Sequence, residues 1–236
     1  MIQKIKRPVI GITQPSRCIN PDYLAVCFAV LLAGGRPKLL THRFPEPFPA
    51  IQGLILGGGR DILPLFFRQK SKRGYRYDFD RDSMEITYMG YAESHNIPIL
   101  GICRGAQLIN IVRDGTLHMQ VRSLFSKRYY PNHPLRQMVF RKKITIAKNS
   151  LLHSIIQENE CSVNSLHSQA IQRVGNGLII SAIEENGIVQ AIEDPSMLFL
   201  LGVQFHPELL IYHRKYRRIF QHFVKYAKSI CLKSMP

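Results

Sequence analysis

Apolar residues recur along this chain in two patterns, and the patterns divide it into elements. Short unbroken apolar runs lie at Val9–Thr13 (VIGIT), Gly53–Leu56 (GLIL), Ile97–Ile102 (IPILGI) and Phe199–Phe205. Runs of this length, bounded by glycine, proline or polar residues, predict strands buried on both faces. Lys38–Thr41, Lys143–Ala147 and Ser162–Asn164 read as further strands. Tyr23–Ala33 is apolar over a greater length and stops at Gly34-Gly35, which predicts a helix with a glycine end. Asp82–His95 has helical character, with Met84, Ile86 or Thr87, Met89 and Tyr91 as inner positions. A further helix follows Gly105 (AQLINIVRDG) and closes on Gly115. In Tyr216–Ile230, the residues Ile219, Phe220, Phe223, Val224, Ala227 and Ile230 fall at helical spacing.

Between these elements the polar stretches read as connections. RFPEPFPA holds three prolines and is a loop. Arg68–Arg81 is basic and aromatic without a period, and reads as an exposed loop. His118–Pro134 is basic and irregular. Gly177–Glu184 and Ile188–Glu193 flank Asn186-Gly187, a turn pair that predicts a hairpin. Strand and helix alternate through the first half, and antiparallel strands are added in the second. The expected fold is therefore α/β: a mixed, mainly parallel sheet flanked by helices, built as a single domain over residues 1–236.

Composition narrows this picture only slightly. The chain has 236 residues, 45% hydrophobic and 20% charged, which excludes wholesale disorder. No run reaches the roughly 18 apolar residues that a membrane helix needs. The basic start MIQKIKRPVIGIT is too short in its apolar part for a secretory signal, so a cytoplasmic protein is expected. The five cysteines are odd in number and widely spaced, with no CxxC pair. That pattern disfavours a disulfide framework and a structural zinc site, and predicts free thiols. No metal and no organic cofactor is implied.

The net charge is +16, with basic residues gathered at Arg68–Arg81, Arg122–Lys143 and Arg214–Lys228. One reading is a solvated lysine- and arginine-rich surface. The other is attraction to nucleic acid, an anionic membrane surface or an acidic partner. No nucleic-acid motif accompanies the charge.

Two segments carry candidate chemistry. In IPILGICRGAQ an apolar strand ends in Gly101-Ile102-Cys103-Arg104-Gly105 and a helix begins. This is the glycine-flanked form of a nucleophile elbow, with cysteine as nucleophile. The tight turn holds the sulfur at the sheet's edge beside a helix N-terminus, which favours an anion. The backbone N–H of Arg104 is then free for a developing oxyanion. Downstream, GVQFHPE places His206 and Glu208 two residues apart. In an extended segment, residues i and i+2 face the same way, and Pro207 disfavours helix at His206. Glu208 can then hold one imidazole nitrogen while the other meets Cys103, an arrangement of nucleophile, base and orienter.

With both segments in hand, the chain resembles the class I glutamine amidotransferase superfamily, and within it the γ-glutamyl-γ-aminobutyrate hydrolase group. GLILGGGRDILPLFF, IVRDGTLHMQ and VNSLHSQAIQRVGNGLIISA resemble further segments of that group, in the same order, so the likeness runs from about Val9 to Glu208. The resemblance implies a flavodoxin-like fold and a hydrolase of γ-glutamyl amides, with a small γ-glutamyl compound as substrate and a role in polyamine catabolism. It implies Cys103 as nucleophile, His206 as general base and acid, and Glu208 as orienter. It also implies the N–H groups of Gly58 and Arg104 as an oxyanion hole, and Gln107, His167, Ser168 and Gln169 as the lining of the substrate pocket. It leaves room for a homodimer.

The chain departs from the group at three places. Gly57 stands where proline is usual, which predicts a looser oxyanion loop. Val121 follows Gln120 where an acid is common. Gln190 stands where glutamate is frequent, which bears on any cationic part of the substrate. Two other functions stay open from sequence: a glutaminase subunit that passes ammonia to a separate synthase, and a basic binding protein on a retired enzyme fold.

Overall fold

The computed structural model describes residues 7–15, 20–42, 50–71, 75–121 and 140–233. The middle basic cluster, apart from Arg141–Lys143, and most of the proline-rich RFPEPFPA lie outside these residues. The strands are β1 (Val9–Thr13), β2 (Arg36–Leu40), β3 (Gly53–Leu56), β4 (Ile99–Ile102), β5 (Thr116–His118), β6 (Arg141–Ile146), β7 (Glu160–Asn164), β8 (Ala170–Arg173), β9 (Ile179–Glu184), β10 (Val189–Glu193) and β11 (Leu200–Val203). The helices are α1 (Pro21–Leu32), α2 (Phe79–Ser94), α3 (Arg104–Val112), α4 (Leu151–Ile156) and α5 (Arg214–Lys233).

Among the described residues the main sheet has nine strands in the order β2-β1-β3-β4-β11-β10-β9-β6-β7. The strands β2, β1, β3, β4 and β11 run parallel to one another. From β11 outward the pairing is antiparallel. The mixed, largely parallel sheet expected from the sequence is the sheet observed. A separate small sheet pairs β5 with β8, antiparallel.

The parallel strands are apolar on both faces because both faces are covered. In β3, Ile55 belongs to the core under α1, α4 and α5, with Val30, Phe220 and Phe223. Its neighbours Leu54 and Leu56 belong to the opposite core under α2 and α3, with Met89, Leu108 and Ile109. Burying a side chain such as Phe223 contributes roughly 2 kcal/mol. The helix α3 approaches the sheet unusually closely. Gly101 and Gly202 lie side by side in β4 and β11. A Cβ on Gly101 would come within 2.5 Å of Ile109 Cδ1, and one on Gly202 within 3.1 Å of Ala106 Cβ. Two adjacent glycines thus form the bed on which the start of α3 rests.

Some boundaries differ from the sequence expectation. The segment Arg68–Arg81 is not wholly an exposed loop: α2 begins at Phe79 and Arg81 is 1% exposed, while a short 3-10 turn at Pro64–Phe67 precedes it. The inner face of α2 is Arg81, Asp82, Met84, Glu85, Tyr88, Met89 and Ala92, while Thr87 is exposed. Met84 and Met89 are buried as expected, with Ile86 and Tyr91 packed partly buried against the same core; what apolar spacing did not reveal is that Arg81, Asp82 and Glu85 share this face. The free thiols among the described residues are Cys27, Cys103 and Cys161. Among the described residues no helix is long and apolar enough to cross a membrane.

Candidate active site

Cys103 stands between β4 and the first residue of α3, with φ 52° and ψ −102°. A non-glycine residue at positive φ costs of order 1–3 kcal/mol and persists only where its surroundings fix it. Here they do. Its N–H donates to Val203 O at 2.7 Å, and its carbonyl accepts from Gln107 N at 3.2 Å. Gly105 is required by close approach: a Cβ there would lie 2.0 Å from the Leu56 carbonyl oxygen. The turn therefore presses α3 against β3, and the cysteine takes the backbone strain.

Val203 ends β11, and Gln204, Phe205 and His206 carry the chain across to the cysteine. His206 has φ −104° and ψ 88°, extended as its position before proline requires. The extended segment predicted through Glu208 stops there. Pro207–Leu209 is a 3-10 turn, because proline's fixed φ suits the first position of a helical turn. The turn still delivers the contact: His206 Nδ1 lies 2.7 Å from Glu208 Oε1. The other side of the ring hydrogen-bonds the Cys103 thiol. Cys103, His206 and Glu208 are each less than a tenth exposed. Asn164 clamps the histidine backbone, accepting from His206 N at 2.8 Å and donating to its carbonyl at 3.0 Å.

Burial alone would push the His206 pKa down, but Glu208 and Cys103 outweigh it and hold the pKa well above the usual histidine value. The Glu208 carboxylate on one side and the hydrogen bond to Cys103 on the other favour the imidazolium. Glu208 Oε2 is buried and has no hydrogen-bond partner among the described residues.

The other predicted residues divide. Gly58 lies against the site, since a Cβ on it would come 3.0 Å from His206 Cε1. The N–H of Arg104 heads α3, directly after the cysteine. Gln107 is buried and donates to Gln169 O at 2.9 Å and to Gln204 Oε1 at 3.0 Å. His167 Nδ1 meets Gln169 O at 2.8 Å, and its Nε2 lies 3.3 Å from Gln190 Nε2. Desolvation, opposed by that carbonyl contact, lowers the His167 pKa to about 4, so the ring is neutral. Gln169 is buried, and its Oε1 has no hydrogen-bond partner among the described residues. Ser168 is exposed and donates to Asp61 Oδ1 at 3.0 Å, tying its loop to the segment after β3.

The departures also acquire a physical setting. Gly57 is tied to β1 by its backbone. Its N–H donates to Thr13 Oγ1 at 3.2 Å, a bond that proline lacks the hydrogen to make. Gln190 donates to Glu184 Oε1 at 2.6 Å, and Glu184 in turn lies 3.4 Å from Lys142 Nζ. A carboxylate is present beside Gln190, balanced by a lysine.

Sequence reasoning passed over several residues. Gln204 Nε2 lies 3.5 Å from Cys103 Sγ. Its alternation with His206 in GVQFHPE was the available signal. Asn164, at the end of β7, lies in the VNSLHSQ segment, but that likeness assigned it no role. No signal marked the ion cluster beneath the loop after β3, where Arg81 pairs with Glu85 and Arg104 pairs with both Glu85 and Asp82.

A buried thiol bonded to an imidazole, itself held by a carboxylate, can form a thiolate–imidazolium pair and attack an acyl carbon. Among the described residues no cluster of metal-ligating side chains occurs.

Residues 8–208 match the model of the peptidase C26 family. The chain is 33% identical to a glutamine amidotransferase-like protein of Rickettsia prowazekii over 95% of this chain and 99% of that one, a protein whose name records likeness rather than an activity. It is 29% identical to the gamma-glutamyl-gamma-aminobutyrate hydrolase of Escherichia coli over 86% of this chain and 87% of that one. A solved Thermoplasma acidophilum protein, provisionally named as part of a GMP synthase, superposes with a TM-score of 0.69 at 18% identity, covering 95% of this chain and 96% of that one; that likeness is one of fold.

Proposed function

The chain belongs to the peptidase C26 family, and from that premise we propose that it hydrolyses the γ-glutamyl amide bond of a small γ-glutamyl compound through a cysteine thioester. The observation that carries this is the Cys103–His206–Glu208 contact set, with the imidazole charge favoured from both sides. The hydrolase of Escherichia coli named above supports the substrate class.

In this reading the Cys103 thiolate attacks the γ-carbonyl carbon. The oxygen that takes the charge is met by the N–H groups of Gly58 and Arg104, each such donor being worth roughly 3 kcal/mol. His206 gives its proton to the leaving amine, and the C–N bond breaks. A γ-glutamyl thioester remains on Cys103. Neutral His206 then takes a proton from water, the hydroxide attacks the thioester, and glutamate leaves as the thiolate–imidazolium pair is restored. Glu208 keeps the ring oriented and stabilises its charge at both stages. Gln107, His167 and Gln169 position the glutamyl part.

The test is release of glutamate from a panel of γ-glutamyl amides, including γ-glutamyl-γ-aminobutyrate, γ-glutamyl-polyamine derivatives and glutamine. Release by the wild type and none by Cys103→Ala is the expected result. Absence of release from every member would overturn the proposal.

A further inference from the structure

Four buried charged side chains lie just beneath the proposed oxyanion site, and the reaction as written uses none of them. They are Arg81, Asp82 and Glu85 on α2, and the side chain of Arg104. The pairing is complete within the group. Glu85 accepts from Arg81 Nε at 2.8 Å and from Arg104, and Asp82 accepts from Arg104. Asp82 Oδ2 also accepts from Leu63 N at 3.0 Å. Two guanidiniums face two carboxylates, so the cluster carries no net charge.

What distinguishes the cluster is where Arg81 spends its remaining hydrogen-bond donors. Its NH2 lies 3.2 Å from Gly57 O and 3.0 Å from Gly58 O. In a trans peptide the C=O and the following N–H point in opposite directions. Holding the Gly57 carbonyl therefore fixes the direction of the Gly58 N–H, on the far side from Arg81. The Gly57 N–H is held too, by Thr13 Oγ1, and Thr13 bonds Glu85. A charged donor on the carbonyl also polarises the amide, which strengthens its N–H as a donor. The second proposed donor, the Arg104 N–H, belongs to a residue whose side chain is anchored in the same cluster.

We infer that Arg81 is a positioning residue for the oxyanion hole: it fixes the Gly57–Gly58 peptide from α2, so that the Gly58 N–H is aimed at the cysteine before substrate arrives. This rests on the acyl-transfer reading above. Arginine is suited to the task because its fork bonds a carboxylate and two carbonyls together.

The test uses Arg81→Lys and Glu85→Asp, which preserve the cluster's charges but spoil its geometry. Each should lower kcat for glutamate release about 10- to 100-fold, with KM within about twofold. Alkylation of Cys103 by iodoacetamide should stay within about twofold of wild type, because displacement at a methylene carbon builds no oxyanion. An unchanged kcat would overturn the inference. So would an alkylation rate that falls in step with kcat, since that would mean a damaged thiol–imidazole pair. Failure of both variants to fold would also overturn it, making the cluster a folding element. A readout without substrate separates this inference from the function it rests on. In [15N]glycine-labelled protein, the Gly58 amide resonance, identified by its loss in Gly58→Ala, should move in Arg81→Lys while those of Gly34 and Gly187 stay. If it moves but the wild type releases no glutamate, the substrate reading falls and the positioning role stands. If it does not move, the positioning role falls.

Discussion

Buried carboxylates approach Cys103 from two sides, and they are built differently. On the β11 side, Glu208 faces a single imidazole, and its other oxygen has no hydrogen-bond partner among the described residues. On the α2 side, Glu85 and Asp82 are matched to two guanidiniums. Burial alone would raise the Glu85 pKa, but Arg104 and Arg81 draw it below the usual value. Desolvation dominates at Asp82 and raises its pKa despite Arg104. Arginine does not give up its proton at physiological pH, so this side holds fixed charge. A histidine does exchange its proton, so the other side can move one. One side is organised to change state and the other to stay still.

This contrast can be broken from either side. The largest loss is expected on the mobile side. Cys103→Ala should remove essentially all glutamate release, at least about 10⁴-fold, and His206→Asn should come within about tenfold of it because the two act as a unit. Glu208→Gln keeps the shape but weakens the hold on the imidazolium; kcat should fall about 10²- to 10³-fold. Steady-state release assays on the three variants would check that order, and near-normal activity in Glu208→Gln would remove the orienter from the scheme. In the turn that holds the cysteine, Gly105→Ala drives a methyl into the Leu56 carbonyl. It should destabilise the fold by about 3 kcal/mol, measured by urea denaturation.

Smaller effects should appear in pH dependence. His206 has a raised folded pKa, so its contribution to stability is full below 6.5 and is lost as pH rises through the folded value. Cys103→Ala, by removing one cause of the shift, should flatten that alkaline loss in urea titrations. His167 is shifted the other way, to about 4. The unfolded chain takes its proton first, so stability should fall as pH drops from 6.5 towards 4. His167→Gln should reduce that acid slope; an unchanged slope would show that the ring is not buried neutral.

How much of this was legible in the chain follows the same division. Cys103, His206 and Glu208 announce themselves through local spacing, since an elbow and a His-Pro-Glu step are short-range patterns. The central strands were legible because they are apolar on both faces. The buried cluster was not legible: Arg81, Asp82 and Glu85 sit in a run of charge that periodicity assigns to solvent, and their partner Arg104 is a helix away. The small strands β5 and β8 and the short α4 were missed for a simpler reason. They are too short, and in β8 too polar on one side, for spacing to separate them from loop.

The position of β11 has a consequence for the order in which the protein is made. β11 lies beside β4 in space, yet it is translated long after it. Until it arrives, the edge of β4 is open, and Cys103 lacks both the Val203 carbonyl that fixes its backbone and the histidine that partners its sulfur. Long-range strand pairing of this kind is a late event in folding. A nascent chain on the ribosome therefore carries an ordinary, unpartnered thiol. The reactive pair comes into being only when the last central strand closes the sheet, which ties the appearance of the nucleophile to completion of the fold.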